Sequence, residues 1–168
     1  MVRLYFTQLS TPIKPLCVVS SDKGLAQILF LKANESAAPQ NLSQQYPDTV
    51  FIHDPIKNKV AADQLTEYFE GTRRTFSLPL DIGGTLFEKE VWKAIARVPY
   101  GQTSSYGDIA AFIGKPGSAR AVGRAARKNP VPFIIPCHRI IGANGALTGY
   151  AGGVDVKETL LNFEKNHF

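Results

Sequence analysis

The residues best suited to chemistry lie together in Pro136-Cys137-His138-Arg139. Thiolate sulfur is a soft, strong nucleophile suited to in-line attack on saturated carbon, and cations beside it, such as His138 and Arg139, favour the ionised form. A free cysteine is more commonly a buried, inert residue, which is how Cys17 reads. Asn129-Pro130-Val131-Pro132 and the apolar run Phe133-Ile134-Ile135 precede Cys137 and fix it between stiff neighbours. Adjacent residues of an extended segment point to opposite sides, so His138 needs a bridging water or a tight turn to take the thiol proton. Glu164 could orient that histidine, since it follows Leu160 by four residues at the edge of the apolar row Val156, Leu160 and Phe163. Alone, Glu164 reads as a solvated helix charge and His138 as a structural histidine. Only the combination argues for chemistry.

A second constellation lies just upstream. At helical repeat, Arg120, Arg124 and Arg127 share one face, while Ala119, Val122 and Ala126 occupy much of the other. Between Lys115 and Arg139 there are six Lys/Arg and no acid, and the whole +5 excess falls after residue 85, where eleven bases face six acids. Such a stripe suits a polyanion, although a solvated basic surface would look the same by charge alone. Gly123 and Ala121 make this helix slim. Slimness would let it enter a widened minor groove, which at about 6 Å excludes an ordinary helix of about 10–12 Å, or would equally permit close helix packing.

These groups must be positioned by elements that the pattern predicts. Thr85-Leu86-Phe87-Glu88 fits a capping box ahead of a helix bearing Phe87, Val91, Ile95 and Val98, which Pro99 and Gly101 end. Ser105 caps a short helix with Asp108 three residues on and with Ile109, Phe112 and Ile113 facing inward. Gly114-Lys115-Pro116-Gly117 breaks the chain, and Ser118 opens a helix to about Lys128. Two short helices across a glycine turn suggest a helix-turn-helix with the arginines on its second helix.

The first half reads differently. Strand-like segments fall around 2–8, 15–20 and 25–31, with a turn at Asp22-Lys23-Gly24, and suggest an antiparallel hairpin sheet. A polar stretch, Lys32 to Asp48, precedes Val50-Phe51-Ile52 and a helix around 57–70. Arg73 to Gly84 reads as a connection. The expected fold is thus a small α/β domain (antiparallel sheet plus helix) over 1–84 and a mostly α domain containing the helix-turn-helix over 85–168.

With 168 residues, 44% of them hydrophobic and 20% charged, the chain has an ordinary soluble composition. Neither a signal peptide nor a spanning helix is expected, which points to a cytoplasmic protein. Two cysteines and three histidines offer no disulfide framework and no four-ligand zinc cluster, so no metal is expected.

The run Ile135-Pro136-Cys137-His138-Arg139-Ile140, with Asn129-Pro130-Val131-Pro132 before it, closely resembles the active-site signature of the O6-alkylguanine-DNA alkyltransferases, of the stand-alone bacterial or archaeal type. The likeness extends upstream through Pro99-Tyr100-Gly101, Ser105-Tyr106 and Ala119-Arg120-Ala121-Val122-Gly123, and downstream through Thr148-Gly149-Tyr150-Ala151-Gly152-Gly153 and Lys157-Glu158. It is strong over 84–164 and weaker before. The resemblance implies single-use transfer of an alkyl group from O6-alkylguanine, and from O4-alkylthymine, in double-stranded DNA to Cys137, without a cofactor or a protein partner and as a monomer. It implies that His138 acts as a base through water, that Glu164 orients it, and that Asn129 braces the turn. Tyr106 would help flip the nucleotide and then protonate the leaving base, while Arg120 would fill its place in the duplex. Ala119, Ala121, Gly123 and Arg124 would complete the DNA contact, and Tyr150, Ala151, Val131 and Pro132 the substrate pocket.

Ala151 departs from the serine that many relatives carry, which leaves only its backbone N–H for the base. Two other readings compete. A non-catalytic lesion sensor or transcription factor would share the fold but has no use for Cys137. A cysteine hydrolase built from Cys137, a histidine and Asn129 would leave the basic helix without a role.

Overall fold

The computed structural model describes residues 1–35 and 40–167, which form two compact units, Met1–Ile82 and Gly83–Phe168. Residues 36–39 of the polar stretch lie outside the described residues.

In the first unit, β1 (Val2–Leu9), β2 (Leu16–Ser20) and β3 (Leu25–Phe30) pair antiparallel, as apolar segments joined by short connections allow. The sheet is nevertheless mixed. β4 (Thr49–His53) lies parallel to β1 at the edge of the order β3-β2-β1-β4. A parallel neighbour needs a long crossover, and the polar stretch provides it, including a short helix α1 (Gln40–Gln45) that the composition does not signal. Leu4, Cys17, Val19, Leu31 and Leu42 form the core with Phe6, Leu29, Tyr46 and Phe51. Helix α2 (Lys59–Phe69) buries Ala61, Leu65 and Tyr68, and its Gln64 side chain pairs with both backbone groups of Ser77.

The second unit is helical. Helix α3 (Leu86–Ala96) starts where Thr85 Oγ1 accepts from Glu88 N, and it buries Val91, Trp92, Ala94 and Ile95. A two-residue strand β5 (Ser104–Ser105) runs into α4 (Tyr106–Phe112), which Ser105 and Asp108 close with a reciprocal capping box. Glycines in left-handed conformation at 114 and 117 turn the chain into α5 (Ala119–Arg127). Helix α5 buries Val122, Ala125 and Ala126, and Trp92 Nε1 donates to Ala125 O at 2.9 Å, fixing α5 on α3.

Phe112 does not face inward; it is 61% exposed. The buried sector of this seven-residue helix is Ile109-Ala110, and Phe112 lies about 200° beyond Ala110. The Arg97 guanidinium lies 5.0 Å from its ring centre instead.

Strand β6 (Ile140–Ile141) pairs in parallel with β5, tying the cap of α4 to the segment after Cys137. Helix α6 (Val154–Asn166) closes the unit with Val156, Lys157, Leu160 and Glu164 buried.

Candidate active site

Asn129 organises the turn that presents the cysteine. Its Oδ1 accepts from Val131 N at 2.9 Å, and its Nδ2 donates to Ile135 O at 2.7 Å and to Cys137 Sγ at 3.2 Å. Within that turn Phe133, fully buried, adopts φ 75°, a conformation costing an L residue on the order of 1–3 kcal/mol unless its surroundings impose it. The three Asn129 bonds and the Ile135 N to Val131 O bond supply that constraint.

Cys137, His138 and Arg139 form one turn of 3-10 helix rather than an extended segment. The tight turn therefore replaces the alternation expected of neighbours. All three side chains are buried. His138 Nε2 lies 2.6 Å from Glu164 Oε2. The same carboxylate accepts from Arg139 Nε at 2.8 Å and Nη2 at 3.0 Å, and from Gly101 N at 3.2 Å. Glu164 is thus no solvated helix charge: its side chain is 1% exposed.

This network sets the protonation states. Burial alone would raise the Glu164 carboxyl, but the hydrogen bonds and charges of His138 and Arg139 outweigh it and hold the group well below the carboxylate range. Burial lowers His138, more than its bond to Glu164 raises it. Arg139 already supplies the carboxylate with a counter-charge, so the imidazole stays neutral. With Nε2–H directed at Glu164, Nδ1 carries a lone pair, and it has no hydrogen-bond partner among the described residues.

Burial also raises the Cys137 thiol, opposed by the Asn129 bond and then by the charge of Lys157. This revises the expectation that His138 and Arg139 favour the thiolate: one is neutral, and the charge of the other is engaged by Glu164. The effective cation is Lys157, a residue that matches the family pattern but to which the sequence assigns no role. Fully buried on α6, its Nζ donates to Ile140 O, to Thr148 O at 3.0 Å and toward Tyr106 Oη at 3.4 Å. Tyr106 Oη in turn donates to Thr148 O at 3.1 Å. The signal was available, since Lys157 stands three residues before Leu160, on the buried face of α6.

Arg120, Arg124 and Arg127 are all exposed on α5. With Tyr106, Gly107, Ala119, Gly123, Ala143 and Thr148, they line a groove of about 550 Å³. Ala121 does not line it; it lies half-buried on the flank of the helix. A β-carbon on Gly123 would stand 3.8 Å from the Tyr106 ring, an ordinary contact, so packing against that ring does not demand the glycine. Of the residues expected around the substrate, Val131 and Pro132 are buried in the Asn129 turn, and Tyr150 sets its ring edge-on to His138 at 6.4 Å between centres. Ala151 is exposed. Burial, with the charges of Cys137 and Glu164, raises the Tyr150 phenol well above its ordinary value, so it stays protonated.

Cys17 belongs to the other unit and forms no disulfide; burial and Glu35 push its thiol up to about 12. Among the described residues no group of three or more His, Cys, Asp or Glu could hold a metal ion, and no helix is long and apolar enough to cross a membrane.

A helix-turn-helix with an arginine face, and a buried thiol next in the chain to a histidine paired with a carboxylate, point to a class: proteins that bring cysteine chemistry to a polyanion. Comparison with known proteins makes this specific. Residues 4–82 match the model of the 6-O-methylguanine DNA methyltransferase ribonuclease-like domain, and residues 86–166 that of the 6-O-methylguanine DNA methyltransferase DNA binding domain. The methylated-DNA–protein-cysteine methyltransferase of Methanosarcina mazei is 42% identical over 98% of this chain and 99% of its own. The crystal structure of Mycobacterium tuberculosis O6-methylguanine methyltransferase superposes with a TM-score of 0.86 at 41% identity, covering 98% of this chain and 94% of that one. The mycobacterial protein in complex with DNA gives 0.83 at 40% identity, covering 99% and 94%. The chain belongs to the O6-methylguanine-DNA methyltransferase family. Its activity is that of a methylated-DNA–protein-cysteine methyltransferase, and its work is the repair of alkylated DNA.

Proposed function

We propose that Cys137 accepts the alkyl group of O6-alkylguanine in duplex DNA, and that of O4-alkylthymine, in a single irreversible step. The observation carrying this reading is the polar chain around one thiol: Asn129 Nδ2 at 3.2 Å from Sγ, and the adjacent imidazole held by Glu164 at 2.6 Å.

Helix α5 docks in the minor groove through Arg120, Arg124, Ala119, Ala121 and Gly123. The lesion is extruded because its O6-bound carbon is unreachable in stacked DNA, and Arg120 fills the gap while Tyr106 drives the nucleotide out. Val131, Pro132, Tyr150 and the Ala151 backbone N–H receive the base. Nδ1 of His138 takes the thiol proton through one water, Sγ forms a bond to the alkyl carbon, and the carbon–O6 bond breaks with its electron pair left on O6. Tyr106 Oη gives its proton to the base, and the Lys157 ammonium beside it stabilises the phenolate. The product is a thioether, stable to water, so each molecule acts once. Every group assigned to the transfer belongs to one molecule, so the reading is of a monomer that needs no cofactor and works in the cytoplasm.

Cys137→Ala tests the reading. It should abolish transfer from duplex O6-methylguanine while retaining lesion binding. Transfer by the Cys137→Ala protein would overturn the assignment.

A further inference from the structure

Arg127, the last residue of α5, is exposed, and no carboxylate among the described residues pairs with it. Its guanidinium lies against Gly149. A β-carbon there would stand 2.5 Å from Nε, 2.7 Å from Nη2 and 2.9 Å from Cζ, well inside contact distance. Gly149 is also in left-handed conformation, at φ 49°. A side chain at 149 would therefore displace the guanidinium from its place beside this backbone.

This segment is central to the site. Thr148 O accepts from both Tyr106 Oη and Lys157 Nζ, and Tyr150 stands beside His138. Arg127 and Thr148 line the same groove. The Arg127 guanidinium of α5 thus lies beside this three-residue loop at Gly149, while the Lys157 ammonium of α6 bonds it at Thr148. Shifting that loop shifts the acceptor that orients the Tyr106 hydroxyl.

We infer that Arg127 is a positioning residue that couples the DNA-facing helix to the Thr148–Tyr150 loop, and so sets the placement of Tyr106 for proton transfer. This rests on the alkyl-transfer reading above and adds a residue to it. An arginine whose only duty was to meet a phosphate would matter for DNA alone. One that shapes the loop matters when no DNA is present.

The experiment uses free O6-benzylguanine and measures benzyl transfer to Cys137 in the full chain, alongside affinity for duplex DNA. Arg127→Ala should slow the free-base reaction about tenfold, the scale expected of a sub-ångström misplacement, with an unchanged melting temperature. Arg127→Lys should keep most of the duplex affinity without restoring the free-base rate, because an ammonium cannot lie flat on the loop. Gly149→Ala should be harmful beside Arg127 and less so beside Arg127→Ala, since the clash disappears while the backbone strain is common to both backgrounds. A free-base rate for Arg127→Ala within about twofold of the parent, or strict additivity in the cycle, would overturn the inference and leave Arg127 a phosphate contact. Failure of the parent protein to take the alkyl group from either free O6-benzylguanine or duplex O6-methylguanine would instead overturn the alkyl-transfer reading, and this inference with it.

Discussion

Glu164 Oε2 lies 2.6 Å from His138 Nε2, and the same carboxylate takes two hydrogen bonds from Arg139, with all three side chains buried. One carboxylate thereby fixes the tautomer of the histidine and neutralises the arginine. Glu164→Gln removes the charge and keeps the shape. It leaves Arg139 buried without a counter-ion, so urea unfolding should show a loss of about 3–5 kcal/mol. Transfer from duplex O6-methylguanine should slow by about 10²-fold or more. A variant as fast as the parent would remove His138 and Glu164 from the mechanism.

The same network predicts how stability depends on pH. Burial depresses His138 in the folded protein, so the unfolded chain protonates first as the pH falls below the free value of 6.5. Stability from that group is whole above this value and declines beneath it. Glu164 is also depressed, so its contribution is present above its free value of 4.5 and is lost as the pH falls further toward the folded value. The urea midpoint should therefore drop in two stages on acidification. A midpoint that rises on passing below 6.5 would show His138 to be charged in the fold.

Lys157 supplies the positive potential at Cys137, since the charge of Arg139 is engaged elsewhere. Lys157→Met should raise the thiol's titration midpoint further, read in ultraviolet thiolate absorbance. Cys17, pushed up to about 12, does not interfere. It should also slow transfer from both free O6-benzylguanine and duplex DNA, because the Tyr106 phenolate loses its neighbour. A thiol midpoint unchanged or lowered would contradict this electrostatic role.

Much of this is legible in the sequence alone, where one residue type has one strong local meaning. Thr85 and Ser105 announced helix starts, the glycines at 114 and 117 the turn between α4 and α5, and the arginine spacing an exposed face. The parallel edge strand β4 was not legible, because its partner β1 is distant in sequence and pairing direction leaves no mark on composition. The pairing of β5 with β6 was hidden by its length of two residues. At the site, proximity in the chain misled: Arg139 adjoins His138, yet its guanidinium serves Glu164, while Lys157, twenty residues from Cys137, provides the potential. The approach of the Arg127 guanidinium to Gly149 depends on tertiary structure alone.

The most direct test of single-use transfer to Cys137 is to incubate excess duplex DNA carrying labelled O6-methylguanine with the protein and map the label by peptide mass spectrometry. We predict one methyl group per molecule, all of it on the peptide containing Cys137 and none on Cys17, with no further repair once the protein is spent. Repeated turnover, or label on any other residue, would contradict the account.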